Sequence, residues 1–242
     1  MSFLISKRPI LQMPVAFWGL ALAYVAVAIN TTVASVALPP ISRAFEVSSE
    51  QLSWIVNCTP LAASAFMLFG GHWASRYGFR RVLVIGLSIL TVSAVGASMV
   101  FDVNTLIAFR TLSGLGSALV MPSALVLAYQ VVEDSRRRTA IGLVTAAQAI
   151  GGLLGPLLAG YLITTLSWRA SLVSVATLLL VSIKIVCSEI PKRVGHKGQV
   201  RPFDQIGAAL TALFGTSTLL FLVGLPFVPG LLGSTFRSLL RH

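Results

Sequence analysis

Two polar side chains inside long apolar runs are the residues of this sequence that could do chemistry. Asn30 lies in the first run and Arg110 in the fourth. An amide inside a membrane span can simply bond to a neighbouring helix, at a gain of about 1 kcal/mol. An arginine deep in a span costs roughly 2.5–3.5 kcal/mol, so its side chain either extends toward the lipid head groups or serves a function. The sequence leaves both interpretations open for both residues.

Proton transfer inside a membrane needs a group whose charge can change, normally a carboxylate or an imidazole. The acidic residues all fall in loops or beside the linker between apolar runs, at Glu46, Glu50, Asp102, Glu133, Asp134, Glu189 and Asp204. The histidines, at 72, 196 and 242, are also predicted outside the runs. We therefore expect no proton-carrying acid in the core of this chain. Neither a catalytic set nor a phosphate-binding loop is found, so we expect no enzyme, no metal site and no cofactor.

Composition places these residues in a membrane. Of the 242 residues, 56% are hydrophobic and 10% are charged, and the mean hydropathy is +0.88. A soluble domain carries about 25% charged residues, so a soluble enzyme, a disordered chain and a nucleic-acid-binding domain are excluded. The net charge of +11 is spread in short clusters between apolar runs, which favours lipid head groups over nucleic acid as the partner.

The apolar runs are long enough to cross a bilayer as helices, which takes about 20 residues each. Seven spans are predicted, at 14–36, 53–71, 82–101, 105–127, 140–162, 170–188 and 206–228. Twelve basic residues lie on one side of these spans and two, Arg43 and Arg169, on the other. The positive-inside rule then puts the N-terminus in the cytoplasm and the protein, with several spans, in the plasma membrane. Arg237 and Arg241 fit this arrangement poorly, so the side of the C-terminal tail stays open.

The domain organisation follows from these spans. We expect an all-α integral membrane protein with a six-helix bundle over residues 1–190. A basic cytoplasmic linker at 191–204 follows, and an additional helix with a short tail occupies 205–242.

Three segments have distinctive spacing. The loop between spans 2 and 3 holds Gly71, Ser75, Arg76, Gly78 and Arg80, a set that also fits an ordinary basic turn. Span 5 contains glycines four residues apart, which let another helix backbone approach closely, and a proline that bends the helix; its set is Gly142, Gly151, Gly155, Pro156 and Gly160. Span 1 contains Thr32 two residues after Asn30.

Taken together, these segments resemble the major facilitator superfamily, in particular the N-terminal half of its fourteen-span drug:proton antiporters. The resemblance implies cytoplasmic gating for the loop set, helix packing for the span 5 set, and substrate transport or coupling for Asn30, Thr32 and Arg110. Three positions depart from the family pattern. Asn30 and Ser75 stand where the family has aspartates, and Ser113 replaces a glutamine.

The resemblance implies multidrug efflux of the proton-antiport type, through a truncated or half-length chain. The expected partners are the lipid bilayer, a small apolar or cationic substrate, protons if transport is coupled, and a second half or another copy. Two alternatives remain: a membrane fragment that transports nothing and only associates with other membrane proteins, and a facilitator of metabolite uptake.

Overall fold

A computed structural model describes residues 13–45 and 47–191, together with residues 210, 213–215 and 217. Six long α-helices follow one another up to residue 191, with one 3-10 turn (Asp134–Arg136) before the fifth: α1 (Val15–Phe45), α2 (Ser49–Tyr77), α3 (Phe79–Ser98), α4 (Val103–Gln130), α5 (Arg137–Thr165) and α6 (Trp168–Glu189). Each is long and apolar enough to cross a membrane. The first six predicted spans are confirmed. The linker and most of the seventh span lie outside the described residues.

The helices begin and end where the sequence offers partners for their free backbone groups. Ser48 and Gln51 form a capping box at the start of α2, and the side chains of Asp102 and Ser167 accept backbone hydrogen bonds at the starts of α4 and α6. Gly78 separates α2 from α3 with a φ of 97°, which favours glycine. The side-chain caps satisfy backbone N–H groups that have no partner within their own helix.

Most helices extend beyond the predicted spans. The apolar pattern predicts ends at residues 36 and 71, whereas α1 continues to Phe45 and α2 to Tyr77. A helix of 30 residues is about 45 Å long, so its ends project past a hydrocarbon layer of about 30 Å, where polar side chains are tolerated. His72, predicted outside the spans, lies in the part of α2 that extends past residue 71.

The two central helices are α1 and α4. α1 packs against α5 and α6, α4 packs against α2 and α3, and α3 also packs against α6. If α1, α2 and α3 are exchanged with α4, α5 and α6 respectively, the set of contacts stays the same. Because corresponding helices are three spans apart, they cross the membrane in opposite directions. The bundle is therefore built from two three-helix units arranged as an inverted repeat.

Glycines set the closest contacts of α4 with its neighbours. Gly86 in α3 and Gly116 face each other, and a Cβ atom on either would lie 3.0 Å from the other's carbonyl oxygen. On the opposite side, Gly70 in α2 lies against the carbonyl group of Ala118. That carbonyl has no helical N–H partner, because Pro122 stands four residues further on. The contacts hold α4 closely between α2 and α3.

Candidate functional site

Arg110 lies in the interior of the bundle, where α1, α2 and α4 meet. Its side chain is 3% exposed, and its Nη1 donates a hydrogen bond to the backbone carbonyl oxygen of Asn30 at 3.0 Å. Arg110 lies about two turns inside α4, because this helix begins at Val103. The side chain points into the protein. Extension toward the head groups, one of the two interpretations that the sequence allows, is therefore excluded.

Asn30 bonds to α4 through its side chain as well as its backbone. The Nδ2 group donates to the Ser113 hydroxyl at 2.5 Å, and both side chains are buried. Ser117 donates in turn to the backbone carbonyl of Ser113 at 3.0 Å. Two of the three positions that depart from the family pattern, Asn30 and Ser113, therefore contact each other, and they do so as an uncharged pair.

Thr59 adds a third helix to this site. Its hydroxyl donates to the backbone carbonyl oxygen of Arg110 at 2.9 Å, and its neighbour Cys58 lies 3.7 Å from the carbonyl oxygen of Ile107. Sequence reasoning missed Thr59, because a threonine in a span usually bonds to its own helix. The available signal was its position directly before Pro60, inside an apolar run.

The positive charge of Arg110 has no acidic partner among the described residues. Its Nε and Nη2 atoms are buried and make no hydrogen bond within that part of the chain. The described acids lie at helix ends instead, and the ion pairs found there join Glu133 to Arg136 and Asp134 to Arg137. Burying an unpaired guanidinium costs several kcal/mol, which marks this position as a candidate for function rather than for stability.

The α5 glycines lie against the same part of α1. A Cβ atom on Gly151 would lie 2.6 Å from the carbonyl oxygen of Val25, and one on Gly155 would overlap the Thr32 hydroxyl and lie 3.2 Å from the Cα atom of Ile29. Only glycine permits backbones to come this close. One turn of α1 therefore contacts α5 through Ile29 and Thr32 and contacts α4 through Asn30.

The other members of the span 5 set do not share this contact. A Cβ atom on Gly142 or Gly160 would meet no other described atom within 4 Å, and Pro156 is exposed. Helical geometry gives the reason, since at about 100° per residue Gly142 lies opposite Gly151, and Gly160 is turned by about 140° from Gly155. Within the described part of the chain these three residues make no such contact, and their packing role stays a prediction.

Thr32 does not join the buried arginine. Its hydroxyl donates to the carbonyl oxygens of Ala28 and Ile29 at 3.1 Å each, within its own helix. Two residues along a helix correspond to about 200° of rotation, so Thr32 faces α5 while Asn30 faces α4. Of the three residues predicted for transport or coupling, the structure brings together Asn30 and Arg110.

The loop set lies at one end of the bundle, away from the buried site. The Ser75 hydroxyl donates to the carbonyl oxygen of His72 at 2.7 Å, and Arg76 lies over the Tyr77 ring at 5.6 Å from its centroid. Arg80 donates from Nη2 to the carbonyl oxygen of Cys187 in α6 at 3.0 Å. A Cβ atom on Gly71 would lie at an ordinary contact distance of 3.8 Å from Pro122, whereas one on the preceding glycine would overlap the carbonyl group of Ala118.

Comparisons with known proteins agree with this architecture. The family model of the Major Facilitator Superfamily matches residues 20–240. The methyl viologen resistance protein SmvA of Salmonella typhimurium (strain 14028s / SGSC 2262) is 28% identical over 181 residues, which are 74% of this chain and 37% of SmvA. The multidrug resistance protein Stp of Mycobacterium tuberculosis (strain CDC 1551 / Oshkosh) is 30% identical over 193 residues, with 76% of this chain and 36% of Stp covered. The chain thus spans little more than a third of the length of these relatives.

A solved structure shows the same fold. The peptide transporter POT, crystallised in complex with sulfate, matches with a TM-score of 0.69 and 16% identity. The match covers 93% of this chain and 49% of POT. At this identity the likeness concerns the fold, and the matched part of this chain corresponds to about half of that molecule.

Proposed function

The chain belongs to the Major Facilitator Superfamily, and we propose that its six-helix bundle is one half of a transporter that exports small apolar or cationic compounds. The superfamily's transporters move two such bundles around a site near the middle of the membrane. The resistance proteins SmvA and Stp support export rather than uptake. The span 5 glycine pattern supports the same direction.

One observation carries this proposal. A single turn of α1, Ile29–Thr32, contacts Gly155 of the antiporter-like pattern on one side and Arg110 on the other. A movement of α5 against α1 would therefore also displace the turn of α1 to which the buried arginine is hydrogen-bonded. The close backbone contact at Gly155 leaves no free space between α1 and α5.

The surface next to the buried site supports the substrate class. A cavity of about 370 Å³ lies between α2 and α4, lined by Trp54, Cys58, Leu61, Ala62, Ala65, Phe66, Ile107 and Thr111. Its lining is almost entirely apolar. Aromatic rings such as those of Trp54 and Phe66 bind organic cations through their faces and apolar compounds by contact. Methyl viologen, after which the resistance protein SmvA is named, is a compound of this cationic kind.

A second bundle is part of the proposal. In the described bundle, large apolar side chains of α5 are exposed, with Leu153 at 71% and Leu157 at 65%, and α2 exposes Trp73 and Phe66 in the same way. We propose that such faces meet a second half of the transporter. Where no other protein supplies that half, a second copy of this chain supplies it. Gly142, Gly160 and Pro156, exposed or without a neighbour here, lie on helix faces available to it.

Coupling and orientation complete the proposal. Because Asn30 and Ser113 are uncharged, the described bundle offers no carboxylate beside Arg110, so the proton-carrying group of a coupled cycle belongs to the second half. We place the protein in the plasma membrane with the N-terminus and the loop set in the cytoplasm. With Ser75 in place of an aspartate, loop gating depends on Arg76 and Arg80.

The alternative function is a membrane fragment that transports nothing and associates with other membrane proteins. The uncharged residues at 30 and 75 favour it, since both remove charges that the family pattern contains.

Ethidium accumulation separates the two functions. The full chain is produced in cells that lack their own efflux pumps, with insertion checked in the membrane fraction, and accumulation is followed with and without a protonophore. Export predicts lower ethidium accumulation than in cells with an empty vector. If the protonophore removes this difference in accumulation, export is coupled to the proton gradient. Accumulation equal to that of the vector, with the chain inserted, contradicts export by this chain and supports the alternative.

A further inference from the structure

Two arginines at opposite ends of the bundle make the same kind of contact. Arg80, the second residue of α3, donates to the carbonyl oxygen of Cys187 in the last turn of α6 at 3.0 Å. Arg169, the second residue of α6, donates to the carbonyl oxygen of Val100, two residues past the end of α3, at 2.9 Å. Each arginine thus reaches from the start of its own helix to the end of the other.

The inverted repeat explains this pairing. α3 and α6 are corresponding helices of the two three-helix units, and they run in opposite directions side by side. Each begins with an aromatic residue followed by arginine, Phe79-Arg80 in α3 and Trp168-Arg169 in α6. The two arginines therefore occupy equivalent positions. One contact lies at each surface of the membrane.

The unpaired carbonyl groups at a helix end explain why an arginine contact there is favourable. The last four carbonyl groups of a helix have no partner within it and carry a partial negative charge. Cys187 carries one of these carbonyls, so Arg80 satisfies it and matches the sign of the charge. Val100 lies two residues past the end of α3, so Arg169 binds the connection that follows that helix. At the level of the head groups the guanidinium also stays hydrated while its stem covers apolar surface. The face of Trp168 adds a contact to Arg169, at 4.8 Å from the ring centroid.

We propose that Arg80 and Arg169 form a reciprocal clamp, in which Arg80 caps the C-terminal end of α6 and Arg169 binds the connection directly after α3. The clamp fastens α3 to α6 at both membrane surfaces. α3 packs against α4 and α6 against α1, so the clamp also holds the two helices that carry Arg110 and Asn30 in a fixed relation. It gives Arg80 a role within this bundle, beyond any gating contact with a second half, and it does not depend on transport.

Amide hydrogen exchange tests the clamp on the full chain in lipid nanodiscs. Arg80→Gln should speed exchange over residues 186–190 by roughly three- to tenfold and leave residues 96–100 unchanged. Arg169→Gln should do the reverse. Arg81→Gln and Arg43→Gln are the matched controls, since both arginines are exposed, lie next to the same helix ends or at the same surface, and leave the two contacts intact. Unchanged exchange at 186–190 in Arg80→Gln, or an equal increase in all helices, would overturn the proposal.

Discussion

Arg110 donates to the backbone carbonyl oxygen of Asn30, while the side chain of Asn30 donates back to Ser113, one turn further along α4. Two helices are thus joined by hydrogen bonds running in opposite directions at the centre of the bundle. The joint contains one full positive charge and, among the described residues, no negative charge to match it. Such a site favours function over stability, and that distinction can be measured.

Replacing the arginine by an apolar residue should stabilise the protein. Arg110→Met removes a buried charge that has no ion pair in the described bundle and loses one hydrogen bond, so the free energy of unfolding should rise by about 1–3 kcal/mol. Titration with SDS from mixed micelles measures this quantity. Lys184→Met is the matched control, because Lys184 is an exposed cation in α6, and it should change stability little. A loss of stability in Arg110→Met would show that the arginine is structural.

The amide and the hydroxyl should be energetically coupled. Ser113→Ala leaves the buried Nδ2 group of Asn30 without its acceptor and should cost about 1–2 kcal/mol. In the double variant with Asn30→Ala, neither group remains to be satisfied. A double-mutant cycle should therefore give a coupling energy of about 0.5–1.5 kcal/mol. Additive effects of the two substitutions would show that the hydrogen bond contributes nothing.

Adding one methyl group should lower the stability of the bundle at a closely packed glycine but not at a glycine without neighbours. Gly155→Ala places a Cβ atom on the Thr32 hydroxyl and should destabilise the bundle by about 1–3 kcal/mol. Gly142→Ala, which meets no described atom, should be neutral or stabilise by up to about 1 kcal/mol. Thermal unfolding of the two variants makes the comparison.

Relief of the same contact should restore stability. Thr32→Ala removes the hydroxyl that the new methyl group meets, so Gly155→Ala combined with Thr32→Ala should recover part of the loss. Equal unfolding temperatures for Gly155→Ala and Gly142→Ala would contradict the close contact between α1 and α5.

Acid should weaken the start of α4. Asp102 accepts hydrogen bonds from the side chain and backbone of Thr105, which hold the pKa of its carboxyl below the ordinary 3.8. The folded state therefore prefers the charged form, and this contribution is complete above the unfolded pKa and lost as the pH falls through the folded value. Asp102→Asn keeps a cap that does not titrate. Its stability should fall less than that of wild type between pH 7 and pH 3, and an identical fall in both proteins would refute the assignment.

The six spans could be predicted because a bilayer imposes one length and one polarity on each helix. The ends at Phe45 and Tyr77 could not, since helices that leave the hydrocarbon layer no longer need apolar residues. The pattern of contacts between helices was equally inaccessible. Hydropathy records which residues face lipid or protein, but it does not record that α1 meets α5 or that α3 meets α6.

The site was predictable one residue at a time. Asn30 and Arg110 are polar residues in apolar runs, which is a signal within a single helix, but their hydrogen bond joins positions 80 residues apart. The signal for Thr59 was weaker, since it consisted of a position directly before Pro60 inside an apolar run. The spacing of Gly151 and Gly155 predicts one face of α5. Gly142 belongs to the same set through the antiporter-like pattern, and helical rotation turns it to the opposite face.

The central claim, that the buried charge serves export, is tested most directly by ethidium accumulation in pump-deficient cells producing wild type, Arg110→Met or Lys184→Met. We expect wild type and Lys184→Met to lower accumulation relative to the empty vector, and Arg110→Met to match the vector while inserted in the membrane at the same level. Export by Arg110→Met at the wild-type rate would contradict the claim.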